Sequence, residues 1–155
     1  MTNKFTIFFL IIFNLLIFNT YSNDQISFDV TEIEILDGGN KIIGKNRGTI
    51  TTDNGITIEA NRFEFDKIRN ILQAKGDVTI KDEVNNYNFS SQDILYEKNK
   101  ERIQIKGKAE ALVDSIYKFE TEDIVILRKE MQINSDIGAK ILDDLNKTKY
   151  EIGKF

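Results

Sequence analysis

The segment Asn61-Arg62-Phe63-Glu64-Phe65-Asp66 decides the fold, because the chain repeats it at a nearly constant spacing. The pattern returns as Gln92-Asp93-Ile94-Leu95-Tyr96-Glu97 and as Glu122-Asp123-Ile124-Val125-Ile126-Leu127, with a fainter copy at Thr31-Glu32-Ile33-Glu34-Ile35-Leu36. The spacing is about 30 residues, a period typical of stacked supersecondary units that bury a shared apolar face. The sequence therefore predicts a β-repeat protein.

Apolar and polar residues alternate with period two over most of residues 26–135. This alternation is typical of strands that bury one face. The segments Asp37-Gly38-Gly39-Asn40 and Asp53-Asn54-Gly55 offer the positive φ angles of tight hairpin turns. The pattern predicts an all-β antiparallel meander with strands of about 11 residues, which is long for a globular sheet.

A small residue lies near the middle of each predicted strand, and glycine inside a strand marks a bulge or bend. The positions are Gly48, Ala60, Gly76, Ser90-Ser91, Gly107 and Thr121. A column of such positions would crease the sheet along one line and fold it into a V-shaped β-jelly roll with its apolar face inside. The alternative is a flat meander in which the glycines are incidental.

The N-terminus has the pattern of a secretory signal. Lys4 precedes the mostly apolar run Phe5–Phe18, and Thr20-Tyr21-Ser22 supplies small residues for cleavage. We expect residues 1–22 to be a helical signal peptide, or an N-terminal anchor if it is retained. The chain has no Cys, which excludes lipoprotein processing and disulfides.

The remaining chain divides into a predicted domain and a tail. We assign residues 23–136 to the β-jelly-roll domain and residues 137–155 to a tail. Residues 137–145 lack a clean period of two, which leaves a helical turn or an irregular link open. Residues 150–155 alternate again and suggest the start of a further repeat.

Composition excludes several function classes. The net charge of −4 disfavours nucleic-acid binding, and the absence of His excludes imidazole catalysis and His-ligated zinc. The recurring acids Asp66, Asp77, Asp93 and Asp123 follow the repeat, so we assign them to local turn hydrogen bonds. We expect no catalytic residue, no metal site, no cofactor and no enzyme activity.

Three segments carry a resemblance to a known family: Ala60–Asp66, Ala74-Lys75-Gly76-Asp77-Val78-Thr79-Ile80, and Ser91–Glu97. These segments resemble the OstA-like domain of lipopolysaccharide-transport proteins. The resemblance covers about residues 26–136, where the copies recur at a constant period after a signal sequence. Three members share that domain: a soluble periplasmic bridge (LptA), an inner-membrane-anchored subunit (LptC) and the N-terminal domain of the outer-membrane translocon (LptD). The resemblance is greatest to LptA or to a fragment of the LptD N-terminal domain.

The resemblance implies a periplasmic protein that holds the acyl chains of lipopolysaccharide in an apolar groove. It also implies edge-to-edge joining with other Lpt jelly-roll domains by β-strand augmentation, and association with an outer-membrane translocon. The implied lipid-binding residues, taken from the alternating inward face, are Ile33, Ile35, Ile50, Ile58, Phe63, Phe65, Val78, Ile80, Tyr87, Phe89, Ile94, Tyr96, Ile103, Ile105, Tyr117 and Phe119. The alternative is a structural or adhesive exported β-repeat protein with a closed core and no ligand.

The edges and the turns leave two further questions open. The first strand, near Ile26–Leu36, and the last, near Lys129–Ser135, would present unpaired backbone groups, unless residues 137–155 cover the second edge. Basic residues near the turns could meet lipid phosphates or could be ordinary solvated turn residues. They are Lys41, Lys45, Arg47, Lys67, Arg69, Lys98, Lys100, Arg102 and Lys129.

Overall fold

The computed structural model describes residues 26–155, so the predicted signal peptide at residues 1–22 lies outside the described residues. Within 26–155, ten strands form one antiparallel sheet, which confirms the predicted all-β meander. The strands are β1 Ile26–Leu36, β2 Lys41–Thr52, β3 Ile56–Asp66, β4 Ile71–Asp82, β5 Tyr87–Glu97, β6 Arg102–Val113, β7 Tyr117–Leu127, β8 Gln132–Ser135, β9 Ala139–Asp143 and β10 Thr148–Ile152. Short 3-10 turns at Asp37–Gly39 and Lys98–Lys100 join β1 to β2 and β5 to β6.

The strands follow one another in chain order across the sheet, from β1 to β7. Beyond β7 the order splits, because β8 pairs with the second half of β7 and β9 pairs with its first half. Strand β10 then pairs with β9. The backbone of Phe155 exchanges two hydrogen bonds with Ser135 of β8, at 2.8 and 3.0 Å.

The predicted crease is present. The pairing register shifts near the middle of each neighbouring pair from β1–β2 to β6–β7, for example between Lys75 and Val78 and between Ile105 and Lys108. Gly76 and Gly107 adopt φ angles of 76° and 74° at these points, which glycine reaches without a steric penalty. The column of small residues therefore bends the sheet along one line.

The crease divides the sheet into two layers that face each other. The first layer contains residues 26–30, 48–52, 56–60, 78–82, 87–91, 108–113, 117–121, 139–143 and 148–152. The second layer contains residues 32–36, 41–45, 62–66, 71–75, 93–97, 102–106, 124–127 and 132–135. Each long strand from β1 to β7 thus contributes one half to each layer.

The core lies between the two layers. The largest fully buried side chains include Tyr96 and Phe63 from the second layer and Phe89 from the first. Phe28 and Phe65 meet from opposite layers near the β1 end, with ring centroids 6.1 Å apart. Burial of this apolar face is the main term that keeps the layers together.

The structure corrects two expectations about the C-terminal part of the chain. Both the helical turn and the irregular link over residues 137–145 are wrong, because Ala139–Asp143 forms β9 in the same sheet and covers the outer edge of β7. The last strand predicted near Lys129–Ser135 begins only at Gln132, because residues 128–131 form a turn closed by a bond from Met131 N to Arg128 O. Buried Asp143 interrupts the alternation of β9, which explains why the sequence pattern was ambiguous.

Candidate functional site: the interior between the layers and its mouth

Most of the residues predicted to bind lipid lie in the core between the layers. The twelve that are buried are Ile50, Ile58, Phe63, Phe65, Val78, Ile80, Tyr87, Phe89, Ile94, Tyr96, Ile103 and Ile105. The alternation therefore identifies the inner face, and the structure brings these side chains into one cluster.

The first end of the interior is open beside β1. Ile33 and Ile35 are 48% and 64% exposed. Ile35 pairs with Ile42, which pairs with Phe65, and side chains of directly paired residues lie on the same face of a sheet. The two isoleucines thus extend the inner face past the core into solvent.

The other end of the interior is open beside β10. Phe119 is half-buried, and Tyr117 is partly exposed at the start of β7. Phe119 pairs with Ile141, which pairs with Tyr150, and Tyr150 is 47% exposed. An apolar strip therefore runs from the exposed face of β1, through the core, to the exposed face of β10.

The side of the roll opposite the crease is its mouth, where turns of the two layers meet. The first layer contributes residues 53–55 and the end of β4, and the second contributes the turns that begin at Lys98 and Arg128. In the described part of the chain, three pairs of polar side chains connect the layers across the mouth: Arg128 with Asp82, Asn54 with Tyr96, and Lys98 with Asp53. We call these six residues the clasp.

Arg128 makes the most extensive connection across the mouth. Its Nε donates to Asp82 Oδ2 at 2.6 Å, and its second terminal nitrogen donates to the backbone oxygen of Asn54 at 3.0 Å. A third bond, at 3.1 Å, reaches Glu101 on its own side. The side chains of Arg128 and Asp82 are 3% and 0% exposed, so this is a buried ion pair.

The ion pair fixes the charge of both partners. Burial would raise the pKa of Asp82, but hydrogen bonds from Arg128 and Asn85 outweigh it and lower the pKa to about 2. Burial likewise opposes the charged form of Arg128, yet its bond to Asp82 raises the pKa of the guanidinium. Burial, with the neighbouring Asp82 carboxylate, raises the pKa of the Tyr87 hydroxyl, so that phenol stays neutral.

Asp82 also closes its own turn, and the chain repeats that turn without the ion pair. Its carboxylate accepts from the backbone of Val84 and Asn85 and from the Asn85 side chain. Asp143 accepts from Leu145 and Asn146 in the same three ways at the end of β9. Among the described residues, no basic side chain bonds to Asp143, so it is an internal control for Asp82.

The other two connections lie nearer the β1 end. Asn54 donates to the Tyr96 hydroxyl at 2.8 Å, which gives a partner to the polar end of a side chain that is otherwise fully buried. Lys98 Nζ lies 3.0 Å from Asp53 Oδ1, and its side chain is buried. The expectation that Lys98 is either a phosphate ligand at the rim or a solvated turn residue is therefore wrong.

Other basic residues of the predicted rim pair with surface acids. Lys41 bonds Glu64 at 2.7 Å, Arg69 bonds Asp66 at 2.6 Å and Lys100 bonds Glu97 at 2.7 Å. Asp66 also accepts from the Arg69 backbone, which confirms its predicted turn role. That role is wrong for Asp77 and Asp123, whose carboxylates accept from Arg47 and from the Gly107 backbone on other strands. Contact of the rim with lipid phosphates stays a prediction.

Sequence reasoning missed Asp82 and Arg128. Arg128 begins the charged segment Arg128-Lys129-Glu130, where a side chain is normally solvated. The available signal was the repeated turn: Asp82 and Asp143 each precede an Asn by three residues. That repeat identifies the capping role, but it does not indicate that an arginine from the opposite layer reaches only one of the two carboxylates.

Residues 26–155 contain no group of three or more Asp, Glu, His or Cys side chains that could hold a metal ion. The same residues contain no helix that is long and apolar enough to cross a membrane.

The strand order and the crease define a creased β-jelly roll, which is the fold that the resemblance implied. A solved structure with this fold is LptH of Pseudomonas aeruginosa, described as the LptA-homologous periplasmic component of the lipopolysaccharide transport device. The TM-score is 0.65 at 14% sequence identity, and the similarity covers 72% of this chain and 82% of LptH. No protein-family profile and no curated protein sequence matches the chain.

Proposed function

We propose that the chain is a periplasmic module of lipopolysaccharide transport that holds acyl chains between its two layers. The observation that carries the proposal is the continuous apolar strip from Ile35 to Tyr150, open at both ends of the roll. The likeness in fold to LptH supports the same class of ligand.

Acyl chains suit this interior because it is apolar throughout the central strands. Each methylene moved from water into such an environment contributes about 0.8 kcal/mol, so a few chains could supply micromolar affinity after the costs of association. The proposed mechanism is passive. The chains slide along the strip, driven by other components, and no catalytic residue or cofactor takes part.

The two edge strands suit joining to further domains. In the described residues β1 pairs only with β2, and β10 pairs only with β9. Their outer edges therefore offer backbone N–H and C=O groups to another strand, and the chain has no Pro to block such pairing. We propose that neighbouring jelly-roll domains join there, as in a bridge of the LptA type or at an LptD-type translocon.

A closed structural β-repeat is the second candidate, and one observation favours it. The core residues between β2 and β7, including Tyr96 and Phe89, are almost completely buried, so side chains alone fill the centre of the roll. For lipid to enter, the layers must separate or the side chains must repack.

Displacement of a fluorescent fatty acid from purified residues 23–155 tests the proposed function. We expect saturable displacement by lipopolysaccharide and none by its deacylated form, because the acyl chains supply the affinity. Equal displacement by both forms, or no saturable binding of the probe, would favour the structural candidate.

A further inference from the structure

The clasp lies where lipid must pass, if the proposed function is correct. Lipopolysaccharide carries a bulky polar head that cannot be buried between two apolar layers, because unpaired polar groups there are costly. A molecule that moves from the β1 end to the β10 end therefore needs a slot along its path, through which the head stays in water. At the crease the backbone of each long strand runs from one layer into the other, so the mouth is the side that can provide this slot.

The mouth is closed by polar contacts, whereas the interior behind it is apolar. Arg128 from the second layer bonds to Asp82 and to the backbone oxygen of Asn54, both in the first layer. Separation of these groups exposes charges that water can solvate. Separation of the two layers at the core exposes apolar surface, which an acyl chain can cover. The clasp is thus a seam that can open without breaking any strand pairing.

A buried ion pair adds little stability compared with apolar residues of the same size. Asp143 shows that this type of turn forms without an arginine partner, since it makes the same three turn bonds as Asp82. Turn formation therefore does not explain Arg128. Its distinguishing property is that it joins the two layers at the mouth.

We propose that the clasp is a releasable latch: lipid acyl chains move past it along the interior only when Asp82 and Arg128 separate and the mouth opens for the polar head. This inference rests on the proposed function and adds the step that controls loading. It assigns Asp82 and Arg128 as control points that do not bind lipid themselves.

A reversible cross-link across the mouth tests the latch, because the chain has no native Cys. Asp53→Cys and Lys98→Cys would be joined by a short thiol-reactive linker that a reductant cleaves. A matched control joins Asn70→Cys to Asn99→Cys. These two side chains bond at 2.8 Å between neighbouring turns of the second layer, so that link does not cross the mouth.

We expect the mouth link to slow lipid loading at least tenfold, with recovery after reduction, and the control link to leave loading unchanged. Asp82→Asn, which releases the latch without a linker, should load faster than the unmodified protein. Equal loading by the linked and reduced forms of the mouth variant would overturn the latch and leave the proposed function standing. An unmodified protein that takes up no lipopolysaccharide would overturn the proposed function itself.

Discussion

Arg128 Nε lies 2.6 Å from Asp82 Oδ2, and this bond joins a turn of one layer to the end of a strand in the other. The two residues are 46 positions apart in the chain. Their pairing closes the side of the jelly roll that strand pairing leaves open. The buried pair therefore joins the two layers at the mouth, together with the contacts of Asn54 and Lys98.

The first prediction compares Asp82→Asn with Asp143→Asn. Both changes weaken a turn that the same three hydrogen bonds close, which should cost about 1 kcal/mol. Asp82→Asn also leaves Arg128 without its buried counter-charge, so its total cost should be about 3 kcal/mol. Urea denaturation of both variants measures the free energy of unfolding. Equal losses would mean that the ion pair contributes no stability.

The second prediction concerns pH. The folded pKa of Asp82 is about 2, below its ordinary value of 3.8. A lowered pKa gives stability that is complete above about pH 4 and is lost as the pH falls toward 2. The difference in unfolding free energy between the unmodified protein and Asp82→Asn should therefore shrink by about 2 kcal/mol over that range. A difference that stays constant from pH 5 to pH 2 would contradict the lowered pKa.

The third prediction concerns the crease. A Cβ added at Gly48 would lie 2.5 Å from the Asp29 carbonyl oxygen and 2.8 Å from Val30 Cα, so the β1 backbone would have to move. We expect Gly48→Ala to cost about 3 kcal/mol through overpacking. At Gly107 nothing lies within 4 Å, but φ is positive, so Gly107→Ala should cost about 1 kcal/mol of backbone strain. Thermal or urea unfolding measures the loss of stability in both variants. A larger loss for Gly107→Ala than for Gly48→Ala would contradict the close approach at Gly48.

The fourth prediction separates lipid contact from stability at the β1 end. Ile35 and Ile68 are 64% and 76% exposed, but only Ile35 lies on the inner face. Either residue changed to Asn should alter the unfolding free energy by less than about 0.5 kcal/mol. Lipopolysaccharide affinity should fall several-fold for Ile35→Asn and stay unchanged for Ile68→Asn, as measured by probe displacement. Equal affinities would show that the open end does not contact lipid.

The fold could be predicted because its determinants are local. Period-two alternation identifies inner residues such as Phe63 and Phe65, and recurring small residues such as Gly76 mark the crease. Each signal depends on a single strand and its immediate neighbours. The same signals failed at β9, where a turn-capping aspartate occupies an inner position and removes the alternation.

The clasp could not be predicted, because its contacts join residues far apart in the chain. Lys98 and Arg128 lie in turns rich in charge, where solvation is the ordinary outcome. Their burial depends on the separation of the two layers at the mouth. The alternation within a strand does not predict that separation. The exposure of Ile33 and Ile35 has the same origin, since it depends on where the opposite layer ends.

Photo-cross-linking in cells directly tests whether the interior takes up lipid. A photoreactive amino acid replaces Phe65, which lies on the inner face near the open β1 end, and in a second strain replaces Glu64, its neighbour on the outer face. We expect ultraviolet-dependent adducts with lipopolysaccharide at position 65 and none at position 64. A folded, exported protein that forms no adduct at position 65 would contradict lipid uptake and indicate a sealed core.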